Sequence, residues 1–234
     1  MSFFVIGQGN VGSALSNFLK NRNVEHKILH EPPENAGGIL FLAVSDSALK
    51  PLIEDTLRKN SGLYVVHFSA ATKFEDERVF LLHPFSSINK KSDFSQILFT
   101  LWGGKNRTFE EVLEKTGLKF VFCGKNPDLF YHASAVMSGN FTQFFALNAL
   151  RLLEESGFSK AVSEKLIRQL VSSSLDNVFR DGIKGITGPA SRGETEILLN
   201  EYNALQKENL ETAVLFKAVN DAIFKLFTYS NRDK

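Results

Sequence analysis

The stretch Phe3-Phe4-Val5-Ile6-Gly7-Gln8-Gly9-Asn10-Val11-Gly12 decides how the first half of the chain folds. Phe3 to Ile6 is a short apolar run of the kind buried as a strand, and glycines punctuate it at once. Val11, Leu15, Phe18 and Leu19 then fall on one helical stripe, so a helix opens inside the glycine run. A G-x-G-x-x-G pattern between a strand and a helix is the setting in which it carries chemistry. Gly7 allows the tight turn, Gly9 lets the backbone approach a bound pyrophosphate, and Gly12 lets helix and strand pack closely. The helix N-terminus adds free N–H groups and partial positive charge. Gly7, Gln8, Gly9, Asn10, Val11 and Gly12 are therefore the contact set for a dinucleotide, against the plainer reading of a turn that merely joins strand to helix.

Outward from this loop, further strand-like runs occur at 25–29, 39–44, 63–68, 79–82, 97–101 and 118–122. Their alternation with helical patterns predicts a Rossmann-type α/β domain over residues 1–125, with a doubly wound parallel sheet. The second connection is abnormally short: His30 to Gly38 contains Pro32 and Pro33 and has no room for a helix. Glu31 lies about 20 residues past the glycine loop, where an acid binds the adenosine ribose hydroxyls. A solvated loop charge explains it equally well. Val44, Ser45 and Asp46 end the third strand at the carboxyl edge where such folds bind ligands, and Ser45 or Asp46 also suits a helix cap. Pro51 predicts a distorted first turn there, or a helix beginning at Pro51 itself.

Near residue 125 the pattern changes. Asn126-Pro127-Asp128 supplies a cap, a first-turn proline and an acid, and helical periodicity runs from there to about Glu155 before Gly157. That is about 42 Å of helix. Helical character continues over 163–180 and 194–227, so residues 126–234 are expected to form an all-helical domain.

The chain has 234 residues, 27 Lys and Arg against 26 Asp and Glu, and no basic run, which disfavours nucleic acid. Polar residues interrupt the most apolar long stretch, 133–153, and no basic segment precedes Phe3, so neither a membrane span nor a signal peptide is expected. One cysteine, Cys123, forms no intrachain disulfide, reads as a buried structural thiol and suits a cytoplasmic location. The 22 phenylalanines are spread along the chain as core fillers. No histidine pair has metal-site spacing.

The glycine loop, Ala43-Val44-Ser45-Asp46, Val66-His67-Phe68-Ser69, His83-Pro84-Phe85, Tyr131-His132-Ala133-Ser134-Ala135 and Gly185-Ile186-Thr187-Gly188-Pro189-Ala190-Ser191-Arg192-Gly193 occur in that order. This succession resembles an uncharacterised oxidoreductase family. That family joins a Rossmann domain similar to that of pyrroline-5-carboxylate reductase to a helical domain of unknown function. The helical domain is similar to the C-terminal domain of 6-phosphogluconate dehydrogenase, whose long helix often forms a dimer core. The resemblance implies NAD or NADP as cofactor, a small-molecule substrate at an interdomain cleft, and a homodimer. The segment from Tyr131 to Phe145 has no lysine where hydroxyacid dehydrogenases carry their catalytic one.

Proton transfer alongside hydride transfer calls for a group poised near neutral pH, which makes His132 the catalytic candidate. Asn140 lies about two turns further along, with Ser134 and Ser138 between, and joins the substrate set. The alternative is a packing histidine with hydroxyls bonded back to carbonyls. Thr187 and Arg192 are further substrate candidates, Arg192 for a carboxylate or phosphate, against an ordinary salt bridge. Ser191 and Glu194 read as a capping box. Ser69, with His67 and His83, ends a strand and lines the cofactor rim. The expected activity is hydride transfer to or from a small polar metabolite; the alternative is a non-catalytic dinucleotide sensor.

Overall fold

The structure, a computed structural model, describes residues 2–230. The strands are β1 (Ser2–Ile6), β2 (Lys27–Leu29), β3 (Gly37–Leu42), β4 (Gly62–His67), β5 (Val79–Pro84), β6 (Leu98–Trp102) and β7 (Lys119–Gly124). Among the described residues they form one sheet in the order β2-β1-β3-β4-β5-β6-β7. Parallel pairing runs from β2 to β5. The β5–β6 pair is antiparallel and β6–β7 is parallel, so the last two strands oppose the first five. This departs from a uniformly parallel expectation for a simple reason. Residues 85–97 hold only a short 3-10 turn at Phe94–Gln96, with no helix to carry the chain back across the sheet.

Three helices cover the sheet: α1 (Asn10–Asn21), α2 (Asp46–Lys59) and α3 (Arg107–Glu114). Alternate strand residues feed two cores, because helices lie on both faces. Phe3, Val5, Ile39 and Phe41 pack with Leu15, Phe18 and Leu19 of α1 and Phe109 and Leu113 of α3. Phe4, Ile6, Leu40 and Leu42 pack with Leu49 and Ile53 of α2. The short crossover after β2 has no helix, as its prolines require. Helix α2 opens at Asp46 and runs through Pro51, rather than beginning there.

The helical part comprises α4 (Leu129–Val136), a π turn at Met137–Phe141, α5 (Thr142–Glu155), α6 (Lys160–Asp181), α7 (Pro189–Arg192), α8 (Thr195–Glu208) and α9 (Leu210–Ser230). The first helix starts at Leu129, not after Asn126, because Asp128 is the cap that accepts from the Tyr131 N–H at 2.8 Å. The chain divides into two compact units between Phe141 and Thr142, so α4 and the π turn belong with the sheet although the sequence pattern changes near residue 125. In the second unit α5 packs on α6, α8 on α9, and α7 on both α8 and α9. Among the described residues no helix is long and apolar enough to cross a membrane. Cys123 is exposed rather than buried, since β7 is the last strand of the sheet.

Candidate functional site

Each glycine of the loop after β1 has its own reason. Gly7 has a φ of +108°, and a Cβ there would fall on the Ala43 carbonyl. A Cβ on Gly12 would collide with the Gly7 carbonyl and press on the Ala43 side chain. These two glycines serve the fold. Gly9 does not, because a Cβ built on it meets nothing within 4 Å and its φ is an ordinary −70°. Gly9 is the N-cap of α1 and offers no side chain to the first turn, so the leading N–H groups of that helix stay open. Ser13 Oγ donates to the Gln8 carbonyl at 3.0 Å and ties the loop to the helix. The loop leaves the sheet between β2 and β3, where the strand order reverses and doubly wound folds bind ligands. A group held by backbone donors and needing close approach, such as a pyrophosphate, fits this cradle.

The neighbouring strand ends share that edge. Ile6 is in register with Leu29 and with Leu42, so Glu31, exposed two residues past β2, leaves the same side as Gly7. Val44 is half-buried, and Ser45 and Asp46 are exposed at the start of α2. Ser45 is the N-cap by backbone only, its Oγ lying 3.2 Å from Ser47 Oγ. Ser69, just past β4, pairs its hydroxyl with Thr72 Oγ1 at 3.1 Å. His67, the last residue of β4, is 2% exposed, and its Nδ1 has no hydrogen-bond partner. Burial pushes its pKa down to about 4, with the Asp46 charge opposing, so it is neutral at pH 7.

At the end of β5 a second polar cluster forms wholly within the sheet unit. His83 Nδ1 lies 2.7 Å from the Tyr131 hydroxyl, which lies 2.5 Å from Thr100 Oγ1. Thr100 faces His83 across the antiparallel β5–β6 pair and its hydroxyl also approaches the His83 carbonyl at 3.4 Å. The rings of Trp102 and Phe85 stand edge-on to Tyr131, with centroids 5.1 and 5.6 Å away. Trp102 Nε1 is buried without a partner. Burial pushes His83 down to about 4, with the nearby His132 adding to the effect, and burial pushes the Tyr131 phenol up.

His132 itself is exposed on α4, beside Tyr131. Ser134 and Ser138 donate to the Tyr131 and Ser134 carbonyls at 2.7 and 2.6 Å, so these hydroxyls serve the helix, and Asn140 is exposed in the π turn. In the second unit, Thr187 is exposed before α7, a short helix flanked by Gly188 and Gly193, both at positive φ. Arg192 makes a two-point contact with Glu194, at 2.6 and 2.9 Å. The expected capping box is absent: Ser191 Oγ donates to the Gly188 carbonyl at 2.9 Å, and Glu194 is spent on Arg192 instead of on the helix that follows.

The carboxyl edge of the sheet thus brings together the glycine loop, Val44 to Asp46, His67, Ser69 and the His83 cluster, while Thr187 and Arg192 belong to the other unit. Sequence reasoning missed Thr100 and Trp102. Their strand reads as plain apolar alternation, and only the antiparallel turn of β6 sets Thr100 opposite His83.

The chain is similar in fold to several solved structures. One is a candidate NADP oxidoreductase from Bacteroides fragilis, at 16% identity and a TM-score of 0.76 over 96% of this chain and 98% of that one. An imine reductase from Myxococcus stipitatus, in complex with NADP+, gives 15% identity and 0.68 over 100% and 95%. Plasmodium falciparum pyrroline carboxylate reductase with NADP bound gives 13% and 0.63 over 96% and 98%. No curated protein matches the sequence. Residues 104–223, about half of the chain, match a family described as a domain of unknown function, DUF2520, and this protein belongs to that family.

Proposed function

We propose that this protein is an oxidoreductase that uses NAD or NADP to transfer a hydride to or from a small polar metabolite. The observation that carries the reading is Gly9, the one loop glycine for which the fold gives no reason, set beside the open N–H groups of α1 at the strand-order reversal. The Rossmann-type fold shared with reductases whose structures hold NADP supports it. Gly7 to Gly12 would hold the pyrophosphate, Glu31 the adenosine ribose, and Val44, Ser45 and Asp46 the rim of the nucleotide site. The bound nucleotide would supply or accept the hydride. The start of the helix that carries Tyr131 and His132 would handle the proton, and Ser69, Asn140, Thr187 and Arg192 would hold the substrate. Residues 126–234 would serve as the domain for substrate binding and dimerisation.

We also propose that the protein acts as a homodimer through its helical part. Among the described residues of the second unit only Ser163, Gly185, Ala190 and Ala213 are buried, while Leu147 and Leu170 are each 67% exposed and Phe179 is 82% exposed. Helices with that much apolar surface need a partner, and a symmetric copy is the simplest one. A groove of about 520 Å³ between α8 and α9, lined by Leu198, Leu199, Tyr202 and Phe216, offers a further apolar surface.

Thermal shift and nicotinamide fluorescence with NAD, NADH, NADP and NADPH test the function. Stabilisation by at least one nucleotide, lost in a folded Gly9→Val protein, is expected. Equal behaviour of wild type and Gly9→Val with all four would end the proposal. Binding without turnover on oxo acids, imines or hydroxy acids would mark a sensor instead.

A further inference from the structure

We propose that Tyr131 donates the proton in the reduction of a neutral carbonyl or imine, with His83, Thr100 and Trp102 as positioning residues around its hydroxyl. The inference rests on the nicotinamide reading above and adds to it the acid, the direction of the reaction and the class of substrate.

The Tyr131 hydroxyl is the centre of a closed set of hydrogen bonds. With its proton on Nδ1, His83 donates to Tyr131, Tyr131 donates to Thr100, and Thr100 donates to the His83 carbonyl. Every hydroxyl is used once as donor and once as acceptor. Moving the Tyr131 proton onto a substrate leaves a phenolate that already has the His83 N–H beside it and gains the freed Thr100 hydroxyl. Trp102 Nε1–H is buried without a well-formed hydrogen bond, and its nearness to the Tyr131 hydroxyl favours the charged form of the phenol. Its ring abuts Tyr131, so negative charge developing there supplies what it lacks.

The location agrees. The cluster hangs from the end of β5, three strand spacings from β1, or about 14 Å along the carboxyl edge from the glycine loop. It lies on the β3–β4–β5 side of that loop, opposite β2 and Glu31 where the adenosine end would lie. The chemistry balances. A hydride from the reduced nicotinamide nucleotide joins the carbon of the C=O or C=N bond, the π pair moves to the oxygen or nitrogen, and that atom takes the Tyr131 proton. Solvent then restores the phenol, and the nucleotide leaves oxidised.

A phenol is protonated through the neutral range, as a donor in the reductive direction requires, and burial moves Tyr131 further up; burial also holds His83 neutral, so that it donates a hydrogen bond without adding a cation. The surroundings named here, His83, Thr100, Trp102 and Phe85, carry no fixed charge. A neutral acceptor is the substrate that needs a proton in such a place. His132 is exposed one residue further along the helix, and its charge adds to the burial that lowers His83.

The test uses wild type, Tyr131→Phe and His132→Ala. Each is titrated with NADPH and NADH by fluorescence. Single-turnover oxidation of bound nucleotide is then followed in H2O and D2O with simple neutral aldehydes, ketones and cyclic imines. In the cofactor-free proteins, 15N histidine spectra report the His83 tautomer. Nucleotide affinities should agree within about twofold, while Tyr131→Phe slows reduction about 10²- to 10³-fold and loses the solvent isotope effect. The loss in His132→Ala should be smaller than that in Tyr131→Phe. His83 should carry its proton on Nδ1, with a resonance that moves in Tyr131→Phe. Absence of nucleotide binding in every protein would overturn the functional reading and this proposal with it. Nucleotide binding accompanied by an undiminished Tyr131→Phe rate, a larger loss in His132→Ala, or no reduction of any probe by wild type would overturn this proposal alone.

Discussion

In the unit that ends at Phe141, the side chains of Phe41, Phe80, Phe94, Phe99 and Phe109 are sealed from solvent. Among the described residues of the unit that begins at Thr142, the buried ones are one serine, one glycine and two alanines. Both units are rich in apolar residues; what differs is geometry. A sheet covered by α1 and α3 on one face and α2 on the other closes two cores inside one chain. Helices that meet mainly in pairs leave their outer stripes uncovered, as Val162, Leu166 and Leu170 show at intervals of one turn along α6. The contrast lies in how much of its apolar surface each unit covers by itself.

The largest expected effect lies in the sheet core. Phe41→Ala should cost about 3–5 kcal/mol, because the ring is fully buried and stacks between Phe3 and Phe68. Its loss of Tm should not depend on protein concentration. Leu147→Asp combined with Leu170→Asp should leave the sheet unit folded and convert a sedimenting dimer into a monomer at tens of micromolar. A wild type that already sediments as a monomer there would break the comparison.

His67 follows. Its folded pKa is about 4 against about 6.5 in the unfolded chain, so the unfolded state takes up the proton first. The stabilising contribution is complete above about pH 6.5 and is lost as pH falls toward 4, by about 3 kcal/mol. His67→Leu removes both the titration and the unpaired Nδ1. Denaturant unfolding should then show a flatter stability profile between pH 4 and 6.5 than wild type. Parallel profiles would show that His67 is not the group responsible.

Gly9→Val should weaken the bound nucleotide by about 100-fold or more with only a small loss of Tm, since the cradle is open and the backbone unstrained, while valine is a poorer N-cap than glycine. Gly7→Ala should lower Tm instead, because its Cβ has nowhere to go. Isothermal titration with the preferred nucleotide separates the two. If Gly9→Val binds as wild type does, the division of labour within the loop is wrong.

The fold roles of Gly7 and Gly12 are legible in the sequence, as are the strands and the missing crossover helix, because they rest on local patterns: runs of apolar residues, glycine spacing, and Pro32-Pro33. What stayed hidden depends on pairing across the sheet. Nothing in 97–101 says that β6 turns antiparallel, and without that turn Thr100 does not face His83. Tyr131 and His132 are neighbours in the sequence, where the imidazole has the pKa suited to proton transfer; only the fold shows that the phenol is the half-buried, hydrogen-bonded member of the pair. Ser191 and Glu194 fit a capping pattern, and a nearer partner, Arg192, took the carboxylate. Local rules fail where a competing contact lies two residues away.

That competition sets the smallest effect. The Arg192 fork is already filled by Glu194 through Nε and Nη2, and Arg192 holds the Glu194 carboxyl below its usual range. Both groups are exposed, so neither substitution should shift Tm measurably. A substrate carboxylate or phosphate that uses Arg192 must displace Glu194 to gain two-point contact. Arg192→Lys should therefore raise KM for an anionic substrate by roughly tenfold or less, with cofactor affinity unchanged, since lysine offers a point charge in place of the fork. Glu194→Gln should move KM the other way, by freeing the same fork. Opposite signs in steady-state kinetics tie the anion to Arg192; equal signs, or no change in either, would leave Arg192 and Glu194 an ordinary surface ion pair.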